Sequence, residues 1–301
     1  MVLLVERIYH SLKHFSKLEN HHRPHESEAL SASLQAFRSD VSNCLAQLSS
    51  KTKPDTESWS LRWIHQCFEV LSEVDKAFAK LVTDIDHPIS KWEDSLIDEY
   101  LQYSLKLLDL LNSISSSLSH LGQARLALSH ALTLVHTSPQ SAIERLRPIQ
   151  FKSLGNVLKE ENEEKSKEEI FSSDKERVLH ESFTVLETAS FRLCGIVISG
   201  LSGEIKPFPE MKEVVNGGLG EKKGIIKEVK EVNEAVESVA QALAMEKSWE
   251  EACQVLEMKL EEMQNILDAI GEETDGVFSK ILAARTELLD TLRQRQQQEH
   301  W

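Results

Sequence analysis

The sequence predicts an all-α protein, an elongated multi-helix bundle with long heptad-patterned helices, and three observations carry that prediction. Leu-class side chains recur every three or four positions over most of the chain. Only 11 Gly and 7 Pro occur in 301 residues, most of them between the periodic segments. Hydrophobic residues make up 41%, enough for a sizeable core.

The first stripe is Leu30, Leu34, Phe37, Val41, Leu45, Leu48, and Lys51 to Asp55 with Pro54 ends it. The second is Trp63, Cys67, Val70, Val74, Ala77, Leu81, Ile85, stopped by Pro88, which lacks an N–H and biases His87 against helical dihedrals. A third, Leu107, Leu111, Ile114, Leu118, Leu121, Leu128, Leu132, Val135, predicts a long helix interrupted by Arg125. A guanidinium there must snorkel or find a buried partner, which makes Arg125 the buried-charge candidate. From Val178 a helix runs through Phe183 and Leu186 into Leu193 to Leu201, nine residues against the ~20 that span a bilayer, so this run reads as a buried helix end.

The last 75 residues are the most regular. Val229, Val232, Val236, Val239, Leu243 are followed by Trp249, Cys253, Leu256, Leu260, Met263, Leu267, Ile270, and then by Val277, Ile281, Ala284, Leu288, Leu292, with Thr274 in an intervening core slot. One long helix across Gly271 is expected. Four S-x-x-E patterns, at Ser90–Glu93, Ser141–Glu144, Ser173–Glu176 and Ser248–Glu251, predict capping-box helix starts.

These elements suggest a flexible His-rich arm over 1–27 and one bundle domain over 28–301. That domain would be interrupted by an acidic insertion near 156–172 and a Gly/Pro-rich loop near 202–224.

Charge and motifs restrict function. Residues 1–150 hold 15 basic and 18 acidic side chains, so −12 of the net −15 lies in the rest. Such a surface repels phosphate backbones, and no basic patch offsets it, so nucleic acid is not an expected partner. The four cysteines have no CxxC pairing, which suits a reducing compartment with each thiol as a small buried hydrophobe. No signal-peptide pattern opens the chain. His10, His14, His21, His22 and His25 crowd the start without a cysteine or paired carboxylate to complete a zinc site, and GGLGEKKG lacks the P-loop pattern. Neither GxSxG nor HExxH occurs. No catalytic residue, cofactor or metal ligand is predicted.

TDIDHPISKWED, residues 83–94, packs Asp84, Asp86, His87, Glu93 and Asp94 into one short stretch, which reads either as an acid/imidazole site or as a corner between two helices. Pro88, the Ser90 cap, Glu93 in its capping box and Asp94 in a first helical turn favour the corner. EF-hand spacing is absent.

The stretch LVTDIDHPISKWEDSLIDEYLQYSLKLLDLLNSISSSL resembles the plant BYPASS family, through Thr83, Asp84, Pro88, Ser90, Trp92, Glu93, Asp94 and Lys106 to Leu110. ISGLSG at 198–203 and VFSKILAARTELLDTLR at 277–293 are similar more weakly. The chain departs from the family in its His-rich start, where a proline-rich leader is expected, and in the acidic run at 159–169. The resemblance implies no reaction. It implies a helical protein of root and shoot development that restrains a root-derived mobile growth-arrest signal, in the cytoplasm or peripherally at endomembranes. It also implies helical partners, and similarity to plant helical proteins of the exocyst and secretory traffic offers a second reading. A third is a carrier or modifier of a small hydrophobic metabolite in an inter-helix pocket beside Arg125.

Overall fold

The computed structural model describes residues 26–50, 59–151, 173–203 and 226–299. Among these there are seven α-helices and no strand. We number them α1 (Glu26–Ser50), α2 (Leu61–Asp84), α3 (Asp94–Leu134), α4 (Pro139–Arg145), α5 (Asp174–Ser202), α6 (Lys227–Ala244) and α7 (Glu250–Glu299), with one 3₁₀ turn at Ile89–Lys91. The acidic insertion and nearly all of the proposed His-rich arm and Gly/Pro-rich loop lie outside the described residues, and Glu26 and Ser27, placed in the arm, open α1 instead.

Helix α2 packs against α5 and α7, and α3 packs against the same two, so the four close into a ring with α2 diagonal to α3. Helix α1 covers the α2/α5 side, α6 lies along α7, and the short α4 joins α3 to α6. The stripes read from sequence face inward. Leu30, Leu34, Phe37, Val41 and Leu48 are buried on α1, Val277, Ile281, Ala284 and Leu288 on α7. Helix α7 is continuous through Gly271, and Thr274 fills its core slot by donating its hydroxyl to Ile270 O at 2.7 Å. That bond to a carbonyl one turn back satisfies the hydroxyl without a cross-helix partner.

Aromatic rings form the middle of the core. Phe37, Phe78, Phe183 and Tyr103 link α1, α2, α5 and α3, with centroids 6.1, 6.2 and 5.3 Å apart in edge-to-face contacts. Such pairs add ~0.5–1.5 kcal/mol each beyond the area they bury. The Tyr103 hydroxyl donates to Ser190 Oγ at 3.1 Å, which makes burial of a phenol tolerable. The apolar run 193–201 is entirely buried at the end of α5. Helix α5 is the one described helix long and apolar enough to cross a membrane, yet 67% of its apolar window is buried inside the bundle, as in the core helix of a soluble protein. The expectation that 193–201 forms a buried helix end is met.

The capping boxes need correction. Only Ser173 caps as expected, accepting from Glu176 N at 3.2 Å. Helix α3 begins at Asp94 with Glu93 as N-cap, because the 3₁₀ turn takes up Ile89–Lys91 and delays the helix beyond Ser90. Helix α4 starts one turn early, at Pro139 with Ser138 as N-cap, since proline suits a first helical position. At α7, Glu250 rather than Glu251 takes the Ser248 hydroxyl, at 2.7 Å. An unforeseen cap is Ser60, which accepts from Trp63 N at 3.1 Å. The cysteine expectation holds for Cys67 and Cys194, which are buried, while Cys44 and Cys253 keep partial exposure.

Candidate functional site: the corner clamped by Glu176

The family-like stretch folds as a tight joint between α2 and α3. Helix α2 stops at Asp84, and Asp86 adopts φ +48°, a left-handed conformation that aspartate accepts better than most side chains. His87 N still reaches back to Val82 O at 3.3 Å. Pro88 then opens the 3₁₀ turn in extended geometry. Trp92 closes the joint from inside. Its ring is buried against Tyr100 at 6.1 Å, and its Nε1 donates to His87 O at 3.2 Å.

The clamp comes from α5. Glu176 is 2% exposed, and its carboxylate spans the joint: Oε1 accepts from Glu93 N at 3.0 Å, and Oε2 lies 2.9 Å from His87 Nε2. A carboxylate only accepts, so His87 Nε2 is the donor in that pair. A buried carboxylate is costly without partners. Here one side chain satisfies the N-cap amide of α3, holds the imidazole and is itself fixed by the Ser173 cap. One turn along α5, His180 Nδ1 lies 3.1 Å from Glu99 Oε2, and Arg38 of α1 donates to Glu181 at 2.8 Å. The first two turns of α5 thus fasten α1, the joint and α3 together.

Of the residues singled out from sequence, Pro88, Trp92 and the Glu93 backbone belong to this joint. Asp84 and Asp94 are exposed on its rim. The acids do not converge, and no group of three or more His, Cys, Asp or Glu suited to a metal occurs among the described residues. Arg125 lies elsewhere on α3, between the buried Leu121 and Leu128. It keeps partial exposure, as a snorkelling guanidinium does, but its Nε is buried without a hydrogen-bond partner.

Sequence reasoning placed Glu176 in a capping box and missed its carboxylate's role at the joint, although a signal was present: Glu176 stands one step before Leu179, Phe183 and Leu186 in the buried stripe of α5. An acid in a core register asks for a buried partner. The same logic recurs at α2, where Glu228 from the start of α6 accepts from Leu61 N at 2.8 Å and Lys227 N donates to Trp59 O at 2.7 Å. Two helix starts are therefore capped by carboxylates of later helices.

A second polar group crosses the ring. Arg285 of α7 donates to Leu101 O and to Ser104 Oγ on α3, the latter at 2.7 Å. Nearby on α2, Asp75 keeps some solvent contact, but its Oδ1 is sealed without a hydrogen-bond partner. Burial pushes its carboxyl up to about 7, against the opposing pull of Lys280. Burial, aided by the Asp75 charge, raises the Tyr100 and Tyr103 hydroxyls well above the usual phenol range. Buried thiols follow the same rule, and Cys194 is pushed up to about 12, which leaves it inert as a nucleophile at neutral pH.

Comparison with known proteins agrees with the sequence-level resemblance. The chain is 27% identical to Protein BPS1, chloroplastic, of Arabidopsis thaliana, over 86% of its own length and 83% of that protein's. It is 30% identical to UPF0496 protein 4 of Oryza sativa subsp. japonica over 60% of its length, and spans 44% of that relative. No solved structure matches. None of these names is that of an enzyme. The ROH1-like family matches residues 10–190, which include the joint and Glu176, and this chain belongs to that family.

Proposed function

We propose that this chain is a non-enzymatic helical interaction protein of the BYPASS type that regulates root and shoot development in plants. It would act by contacts with helical partners that restrain a root-derived growth-arrest signal. The observation that carries the reading is the use made of the family-like stretch. Its polar residues are either spent on a joint or spread on its rim, which leaves surfaces rather than a reaction centre. A second partner class under the same proposal is the exocyst or secretory traffic, met in the cytoplasm or peripherally at endomembranes. The word chloroplastic belongs to the Arabidopsis relative, and a fluorescent fusion in root cells distinguishes the compartments. Affinity purification of the tagged full chain from plant tissue tests the proposal. Recovery of a helical protein, lost when the exposed α7 side chains Val255 and Met258 are replaced by aspartate, supports it. Substitutions that leave both the captured proteins and every developmental phenotype unchanged refute it.

A second reading rests on Arg125. Its partnerless Nε inside the α3 stripe suits an anionic group on a small hydrophobic ligand held between helices. Ligand-induced thermal stabilisation that vanishes in Arg125→Leu would favour this reading, and an unchanged Tm across plant extract fractions would dispose of it.

A further inference from the structure

The α6/α7 hairpin has two faces of opposite character. The chain reverses after α6, where Met245 N and Lys247 N reach back to Gln241 O and Ala242 O, each at 3.0 Å. Lys259 of α7 then crosses to Glu231 of α6 at 2.7 Å, which holds the two helices side by side and antiparallel. Val232, Val236 and Val239 on α6 and Leu256, Leu260 and Met263 on α7 are buried, so the inner face is spent on the bundle. The outer face keeps a second stripe on each helix. On α7, Glu251, Val255, Met258 and Glu262 follow at steps of four, three and four, all exposed, with Val255 41% and Met258 57% open. On α6 and its C-cap, Glu234, Ser238, Gln241 and Met245 repeat those steps, all exposed, with Met245 60% open.

We infer that this outer face docks an amphipathic helix of a partner protein, one whose apolar stripe is bordered by lysine and arginine. The inference rests on the interaction-protein reading above and names the partner's chemistry at one surface. Two antiparallel helices leave a groove into which a third helix packs at about 8–10 Å, its three-and-four spacing meeting the same spacing below. Val255, Met258 and Met245 supply the apolar contacts, and unbranched methionine adapts its shape to the side chain it meets. Charge selects the partner. Residues 227–268 hold 11 acidic and 4 basic side chains, and Lys259 already donates to both Glu231 and Glu262, at 2.7 and 3.2 Å. Glu251 and Glu262 bound the apolar pair on α7, and Glu234 ends the α6 stripe, so the apolar side chains sit within an acidic border. That border complements a cationic helix and steers it to the groove. An acidic helix, or the same face of a second copy, would set glutamate against glutamate.

Fluorescence anisotropy of a labelled synthetic peptide with the full chain tests it. The probe is a leucine–lysine helix of ~14 residues, about four turns, with its leucines on one face, and the comparator replaces every lysine by glutamate. We expect the lysine peptide to bind and the glutamate peptide not to bind. Val255→Ser/Met258→Ser, which alters no charge, should weaken binding about tenfold or more. Glu251→Gln/Glu262→Gln should weaken it about threefold at low salt and less at high salt. Leu282→Ser/Leu289→Ser, at exposed α7 positions away from the hairpin, should leave it unchanged. All six side chains are exposed, so each variant keeps its fold, which circular dichroism checks. No binding, equal binding of the two peptides, or binding that survives Val255→Ser/Met258→Ser overturns the inference. So does a loss on Leu282→Ser/Leu289→Ser, which places the peptide at another surface. None of these results bears on capture from plant tissue, so the proposed function stands or falls separately.

Discussion

Replacing Asp75 with asparagine should change how stability depends on pH, with a sign fixed by the structure. Burial holds the carboxyl near 7 in the folded chain, against an ordinary value of 3.8. Below about pH 4 the carboxyl is protonated in both folded and unfolded chains and costs nothing. Between about pH 4 and 7 the unfolded chain has released the proton while the folded chain keeps it, so stability falls as pH rises. Above about 7 the full cost is present and constant. At ~1.36 kcal/mol per pK unit the ceiling is about 4 kcal/mol, and the partial solvent contact of Asp75 brings the expectation to about 2 kcal/mol. Asparagine is neutral throughout and nearly isosteric. Urea unfolding at pH 4, 6 and 8 should therefore show Asp75→Asn close to the unsubstituted chain at pH 4 and more stable by about 2 kcal/mol at pH 8. The difference between the two proteins cancels every other titrating group. A difference that is flat with pH, or that favours aspartate at pH 8, refutes the reasoning.

Other substitutions probe the packing. Arg285→Met keeps the aliphatic stem but removes the donors to Leu101 O and Ser104 Oγ, and should cost ~1.5–3 kcal/mol in urea unfolding. Gly200→Ala would place a Cβ 2.7 Å from Trp59 Cε3 and 3.2 Å from Ile64 Cδ1, so a loss of ~1–3 kcal/mol and a shifted tryptophan fluorescence are expected.

The helices were legible because burial imposes a period that each stripe repeats many times. Val229, Val232, Val236, Val239 and Leu243 are buried as the three-and-four spacing requires, and α6 ends one residue beyond Leu243. The corner was legible too, since Pro88 stops a helix by local chemistry alone. What was hidden depends on three-dimensional neighbours. A Ser-x-x-Glu pattern states which groups could cap a helix, but Glu93 N finds Glu176 of α5, and Leu61 N finds Glu228 of α6. No spacing within α2 or α3 encodes those partners. Asn233 is a similar case: its side-chain amide holds both Ile149 N and Ile149 O, at 2.7 and 3.1 Å, and pins the segment after α4 to α6. Asp75, Arg125 and Glu176 share one trait visible beforehand, a charge set among or beside core positions. That trait says only that a special environment is needed, and the three environments differ.

Stability measurements on Glu176→Ala, with Asp84→Ala and Asp94→Ala alongside, test most directly whether the family-like stretch is a joint clamped from α5. Glu176→Ala strips the partner from Glu93 N and from His87 and should cost ~3–5 kcal/mol in urea unfolding. The rim substitutions Asp84→Ala and Asp94→Ala should each stay within ~1 kcal/mol. A Glu176→Ala protein within ~0.5 kcal/mol of the unsubstituted chain, or rim variants that destabilise as much as Glu176→Ala does, would contradict the clamp.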